Sequence, residues 1–137
     1  MRRPSVSILE YIKRLAEGDD PSAIARSRNL APYSVKNNLG RLYASYNVNS
    51  AHGMVVLSIR NKWLTDYDTP EIVKQPSEKA IDIIRYLANG YSVDDIALEH
   101  GIMPTTVKFY LKQMYKDNKI SNMSQLVAVA LKEGWIK

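Results

Sequence analysis

The chain has 137 residues, no cysteine, and 19 Lys/Arg against 14 Asp/Glu, a net charge of +5. Without cysteine there are no disulfides and no thiolate metal sites, no apolar run approaches the roughly 20 residues that a membrane span needs, and Met1 to Ser7 has no signal-peptide pattern, so a cytoplasmic, membrane-free protein is expected. The basic surplus is concentrated, with ten Lys/Arg against four Asp/Glu in residues 1–64, one against three in 65–75, and eight against seven in 76–137; it favours a polyanion partner only where the placement of the charges supports one.

Arg2 and Arg3 open the chain as a short basic arm, better explained as a frayed terminus than as a phosphate clamp. The apolar spacing of Ile8, Leu9, Ile12 and Leu15/Ala16 predicts a first helix over about Ser5 to Glu17, closed by Gly18. Asp20 caps a second helix beginning at Pro21 and containing Ile24 and Ala25, and Asn29 and Leu30 make the turn that follows. A third helix over about Pro32 to Tyr46 buries Val35, Leu39 and Leu42 and presents Tyr33, Lys36, Asn37, Gly40 and Ala44. Arg26, Arg28, Arg41, Arg60 and Lys62 surround it, a placement suited to phosphates flanking a groove. Gly40 inside a helix costs up to about 1 kcal/mol relative to alanine, which either close approach of a partner or drift explains.

Ser50 caps a fourth helix. Residues 65–75, TDYDTPEIVKQ, form a polar linker that reaches at most about 36 to 40 Å when extended, comparable with one turn of duplex DNA at about 34 Å. From Pro76 the same pattern runs again. Gly101 supplies a turn that needs positive φ, and Pro104 stands at the first helical position. In the helix that follows, Val107, Leu111 and Met114 form a buried stripe, while Thr105, Lys108, Phe109, Lys112 and Lys116 share the opposite face. Asn122 caps the last helix, with Gln125 placed as in a capping box. Met54, Val55, Val56, Leu57 and Ile59, like Leu126, Val127, Val129, Ala130 and Leu131, are apolar over more of the circumference than one small domain needs, and the surplus points to a partner helix. Trp63 and Trp135 close the two units as packing residues.

An ungapped shift of 72 residues aligns Pro4–Leu64 with Pro76–Ile136. Identities include Ile12/Ile84, Leu15/Leu87, Gly18/Gly90, Ile24/Ile96, Pro32/Pro104, Val35/Val107, Lys36/Lys108, Leu39/Leu111, Tyr43/Tyr115 and Trp63/Trp135. Where the second unit has Gly101 the first has Asn29, the side chain that next best tolerates left-handed φ. The expected fold is therefore all-α, with two tandem four-helix helix-turn-helix domains, residues 1–64 and 76–137, joined by the linker 65–75.

The second unit resembles the four-helix DNA-binding domain of the LuxR/GerE family through Leu87-Ala88-x-Gly90, Ile96-Ala97, Gly101-Ile102, Thr106-Val107-Lys108, and Gln125-Leu126-Val127 through Gly134-Trp135-Ile136. The first resembles it more loosely, through Leu15-Ala16-x-Gly18, Ile24-Ala25 and Ser34-Val35-Lys36. The resemblance implies that each third helix enters the major groove, with Lys108, Phe109 and Lys112, and in the first unit Lys36, Asn37 and Gly40, facing bases or phosphates. It also implies a dimer contact through the fourth helices, either between two copies or within one chain as a pseudo-dimer. Two departures stand out. Met103 and Ala31 occupy the position that normally caps the third helix and have no acceptor for its amides, and no residues remain for the receiver or ligand-sensing domain that usually accompanies this one.

The expected function is sequence-specific binding of double-stranded DNA by a transcription regulator that reads an asymmetric site with two heads. The candidate DNA-contacting residues are Thr105, Thr106, Lys108, Phe109, Lys112 and Lys116 in the second unit and Tyr33, Ser34, Lys36, Asn37 and Arg41 in the first. Lysines donate to phosphates and to guanine O6/N7, asparagine pairs with adenine, and phenylalanine contacts a thymine methyl. The main rival is that one unit binds DNA while the other is a protein-interaction module contacting RNA polymerase or another regulator, or serving dimerisation; RNA binding is weaker still, for want of an aromatic platform. No catalytic, cofactor or metal site is expected: there is no glycine-rich phosphate loop and no Ser/His/Asp arrangement, and His52 and His100 occupy unrelated positions, with Glu99-His100 reading as a helix end.

Overall fold

The computed structural model describes residues 1–29 and 31–137, with the side chains of residues 32–35 left aside. The expected turn residue Leu30, the expected burial of Val35 and the candidate contacts Tyr33 and Ser34 lie outside the described residues. The chain forms α1 (Val6–Ala16), α2 (Pro21–Ser27), α3 (Pro32–Ser45), α4 (Ala51–Arg60), α5 (Glu78–Ala88), α6 (Val93–His100), α7 (Pro104–Asn118) and α8 (Met123–Lys132), with no strand among the described residues.

The boundaries follow local chemistry. Ser5, Asp20, Ser50, Ser77, Ser92 and Asn122 each accept an amide hydrogen of the first helical turn through the side chain, satisfying one of the donors that a helix start leaves free. Proline begins α2, α3 and α7, where its missing N–H costs nothing. Ser92 and Asp95 form a reciprocal capping box at α6. The box expected at α8 differs. Asn122 does accept the Gln125 N–H at 3.0 Å, but Gln125 Oε1 takes the N–H of Ser121, one residue before the cap, at 2.7 Å. Its Nε2 is drawn away to the Glu17 carbonyl at 3.1 Å.

Helix starts in the first half recur 72 residues later at α1/α5, α2/α6, α3/α7 and α4/α8. The backbone recurs as well: among the described residues, every one of positive φ has its counterpart at the same offset, as Gly18/Gly90, Asn29/Gly101, Asn47/Lys119 and Lys62/Gly134. Left-handed φ strains a side chain bearing Cβ by about 1 to 2 kcal/mol, so its recurrence at matched positions reflects a common turn geometry.

The core is continuous across the halves. α4 packs against α8, α1 against α8, and α4 against α5. Exchanging α1 with α5 and α4 with α8 leaves this set of pairings unchanged, the pattern of a self-complementary two-fold interface. Met54, Val55, Leu126, Val127 and Val129 are fully buried in and around this seam, each contributing about 1.5 to 3 kcal/mol relative to an exposed side chain. The surplus apolar surface of α4 and α8 is thus covered within the chain.

The linker lies along the second half. Tyr67 is buried, as is Leu64 just before the linker, and the Tyr67 hydroxyl donates to the Ala128 carbonyl at 2.9 Å. Lys132 Nζ donates to the Tyr67 carbonyl at 2.8 Å, and Trp135 Nε1 to Gln75 Oε1 at 3.0 Å. Its extended reach therefore does not set the spacing of the halves; the seam does. The amino-terminal arm is also held, contrary to the frayed terminus expected from composition: Pro4 is buried, and the Tyr46 hydroxyl donates to the Arg2 carbonyl at 2.6 Å.

Candidate nucleic-acid interface

Gly101 ends α6 with φ 63°, and the Ile102 N–H returns to the Ala97 carbonyl at 3.0 Å. This tight turn aims α7 across α6 and α5, against which it packs. Val107, Leu111 and Met114 are buried beneath it, so the opposite face is turned outward. Met103 makes no side-chain cap at the start of α7. The Thr106 N–H bonds the Met103 carbonyl at 2.9 Å and Pro104 has none to offer, which leaves the Thr105 N–H at the open positive end of the helix dipole.

The outward face holds Thr105, Lys108, Phe109, Lys112 and Lys116, all exposed, with Thr106 half-buried at its edge. Phe109 is 62% exposed. Lys108, Lys112 and Lys116 stand one helical turn apart, and none makes an ion pair among the described residues. Like charges at this spacing destabilise a helix by about 0.2 to 0.5 kcal/mol per pair. A face that sets three lysines and a bare phenylalanine in water, with no compensating acid, suits a polyanion with apolar edges. Tyr110, half-buried and edge-on to Phe109 with ring centroids 6.4 Å apart, also belongs to this surface. Its intermediate position between the buried and exposed faces hides it from a periodicity argument.

In the first half, Lys36, Asn37, Gly40 and Arg41 are exposed on α3 and, with Ala44, line a shallow cavity of about 550 Å³. A Cβ added at Gly40 would meet nothing within 4 Å, so no packing within the chain demands the glycine. The basic flank around α3 is thinner than the sequence implies. Arg60, though exposed, is engaged at the rim of the seam, where Nη1 donates to Asn89 Oδ1 at 3.2 Å and Nη2 to the Lys137 carbonyl at 2.7 Å. Arg28 stacks over the Tyr11 ring at 4.5 Å and reaches Glu10 at 3.5 Å. Arg26, Arg41 and Lys62 remain exposed and free of ion pairs among the described residues.

Burial pushes Tyr115, on the inner side of α7, and Tyr43, its counterpart on α3, up to about 12, so both stay neutral at any physiological pH and act as packing groups. His100 ends α6 with Nδ1 3.0 Å from the Ile96 carbonyl, and no cluster of metal-ligating side chains occurs among the described residues.

Residues 77–130 match the luxR family of bacterial regulatory proteins (GerE). The luxR-like segment contains α5, α6 and α7 whole and α8 up to Ala130. It therefore includes the turn at Gly101 and the lysine-bearing face. The match supports a DNA-binding regulator of transcription whose partner is double-stranded DNA. No curated protein and no solved structure shows a significant match to the chain. No helix among the described residues is long and apolar enough to cross a membrane.

Proposed function

We propose that the chain is a sequence-specific regulator of transcription that grips duplex DNA with two helix-turn-helix heads, residues 1–64 and 76–137, α7 and α3 each entering the major groove. The observation that carries this reading is the outer face of α7, where Lys108, Phe109 and Lys112 stand exposed inside the luxR-like segment, the lysines free of ion pairs among the described residues. Thr105, Thr106 and Lys116 extend the contact along the backbone. Lys36, Asn37 and Arg41, with Tyr33 and Ser34, serve the same role on α3. Support for the second head is the recurrence of helix starts and of positive-φ positions at an offset of 72 residues.

The seam of α4 and α8 makes the chain an intrachain pseudo-dimer on this reading. A two-fold seam presents α3 and α7 in inverted orientation, as dimeric helix-turn-helix proteins do on half-sites about 34 Å apart. Lys36, Asn37 and Gly40 differ from Lys108, Phe109 and Lys112, so the two half-sites are inverted in direction and different in sequence. Two weak heads held rigidly in one chain gain the second contact at an effective concentration of order mM or more.

Selection of binding duplexes from a random pool tests this with the intact chain, because the shared core would leave the seam face of an isolated half exposed. The native chain should recover a long asymmetric site, Lys108→Ala/Lys112→Ala should erase one half of it, and Asn37→Ala/Arg41→Ala the other. Recovery of an unchanged site by the α3 variant would favour the second reading, in which the first half contacts polymerase or another regulator; the engagement of Arg60 by Asn89 and Lys137 favours that reading too.

A further inference from the structure

The seam is closed on one side and open on the other. On the closed side the start of α8 meets the end of α1. Asn122 Nδ2 donates to the Gly18 carbonyl at 2.8 Å, and the Gln125 carboxamide spans the joint, giving a hydrogen to the Glu17 carbonyl at 3.1 Å and taking one from Ser121 at 2.7 Å. Gln125 is buried there, and a Cβ on Gly18 would lie 2.8 Å from its Oε1. The joint is filled by a primary amide.

At the offset of 72 residues, the open side has Gly53 in place of Gln125, Ser50 in place of Asn122 and Asn49 in place of Ser121, facing Asn89 and Gly90. Gly53 has nothing with which to cross the joint, and a Cβ on Gly90 would meet no atom within 4 Å. A cleft of about 690 Å³ occupies this place, lined by Asn49, Ser50, Gly53, Asn89, Gly90 and the apolar wall of Leu57. That volume is within the range of about 300–1,000 Å³ usual for small-molecule sites. Among the described residues, the Asn49 N–H and the carbonyls of Asn89 and Gly90 form no hydrogen bond within the chain. They are the counterparts of the backbone groups that Asn122 and Gln125 satisfy on the other side.

We propose that this cleft binds a small molecule carrying a primary carboxamide on a short aliphatic stem. The amide nitrogen donates to the Asn89 and Gly90 carbonyls, the amide oxygen accepts from the Asn49 N–H, and the stem lies on Leu57. The cleft needs donor and acceptor together. A carboxylate has no hydrogen to give to the Asn89 and Gly90 carbonyls; an ammonium has no acceptor for Asn49. The Arg60 guanidinium at the rim is engaged by Asn89 Oδ1 and the Lys137 carbonyl, so its donors serve groups of the chain. A bound amide would join the end of α5 to the start of α4, as Gln125 joins α1 to α8.

Amide NMR of the intact chain titrated with propionamide, with L-glutamine and with propionate as the isosteric control tests the assignment. The expected result is shifts centred on Asn49, Gly53, Asn89 and Gly90, with propionamide binding about tenfold more tightly than propionate, the worth of one hydrogen bond. Ser50→Asn/Gly53→Gln copies the closed side and should abolish the response. Absence of shifts at those residues, an equal response to propionate, or an undiminished response in a folded double variant would each overturn the proposal. The titration of the native chain decides the matter by itself if the double variant does not fold.

Discussion

Asn118 grips Lys74 by both ends of its carboxamide: Oδ1 accepts the Lys74 N–H at 2.9 Å and Nδ2 donates to the Lys74 carbonyl at 2.9 Å. Oδ1 also takes the Val73 N–H at 2.8 Å, and Asn118 is only 2% exposed. A side chain thus supplies the linker with the paired donor and acceptor that a neighbouring strand would otherwise provide. Asn118→Ala should destabilise the chain by about 2 kcal/mol, since backbone groups lose their partner at a half-buried site. Asn118→Asp keeps the acceptor but sets a second oxygen against the Lys74 carbonyl, and should also destabilise. Urea unfolding measures both, and an effect below about 0.5 kcal/mol for Asn118→Ala would mean that the linker contacts contribute nothing net.

Lys108→Ala/Lys112→Ala should remove specific DNA binding without unfolding the chain. Each lysine that neutralises a phosphate contributes about 0.9 to the slope of log K against log salt, so residual binding should show a slope shallower by roughly 2. Thermal stability should hold or rise slightly, because both like-charge pairs, Lys108/Lys112 and Lys112/Lys116, leave the face of α7. A variant with native salt dependence would remove both lysines from the interface.

Gly18 and Gly90 allow a matched comparison. Both have positive φ, 103° and 94°, so alanine is strained at either. Only at Gly18 does the new Cβ also strike Gln125. Gly18→Ala should therefore cost about 1 to 2 kcal/mol more than Gly90→Ala, the added loss being the Gln125 hydrogen bonds. Equal losses in calorimetry would show that Gln125 moves aside freely.

The buried tyrosines set an alkaline limit. Burial raises Tyr43 and Tyr115 to about 12, above the value near 10 of an unfolded chain. The folded state thus holds these protons more tightly; the contribution is intact below about pH 10 and is lost as pH rises towards 12. His52 acts at the other end, since burial lowers it and its contribution, present above about pH 6.5, is lost as pH falls. Urea midpoints across pH should decline at both ends, and Tyr43→Phe/Tyr115→Phe should flatten the alkaline decline. An unchanged alkaline slope in that variant would assign the decline to other groups.

The parts of this fold legible in the sequence are those fixed by neighbours a few residues apart. Gly101 and Asn29 announce left-handed turns, Asp20 and Ser50 announce helix starts, and the spacing of Val107, Leu111 and Met114 selects the face of α7 that is buried. That selection fixed the exposed lysine face as well, which made most of the candidate site readable. Long-range pairing was not readable. Arg60 has a side chain suited to a phosphate and is instead drawn to Asn89 and Lys137, 29 and 77 residues away. Gln125 has capping-box spacing, yet its amide nitrogen goes to Glu17, which only the seam brings within reach. The apolar excess of α4 and α8 signalled that something would cover them, and nothing local distinguishes a second chain from the other half of the same one.

A pair of α4-type helices contributed by separate chains comes apart on dilution, with a midpoint set by how much protein is present. Here α4 and α8 are parts of one polypeptide, so their union has no dissociation constant. Whatever α3 and α7 contact together, occupancy of that target should rise with the first power of protein concentration, without the squared dependence of a weak dimer.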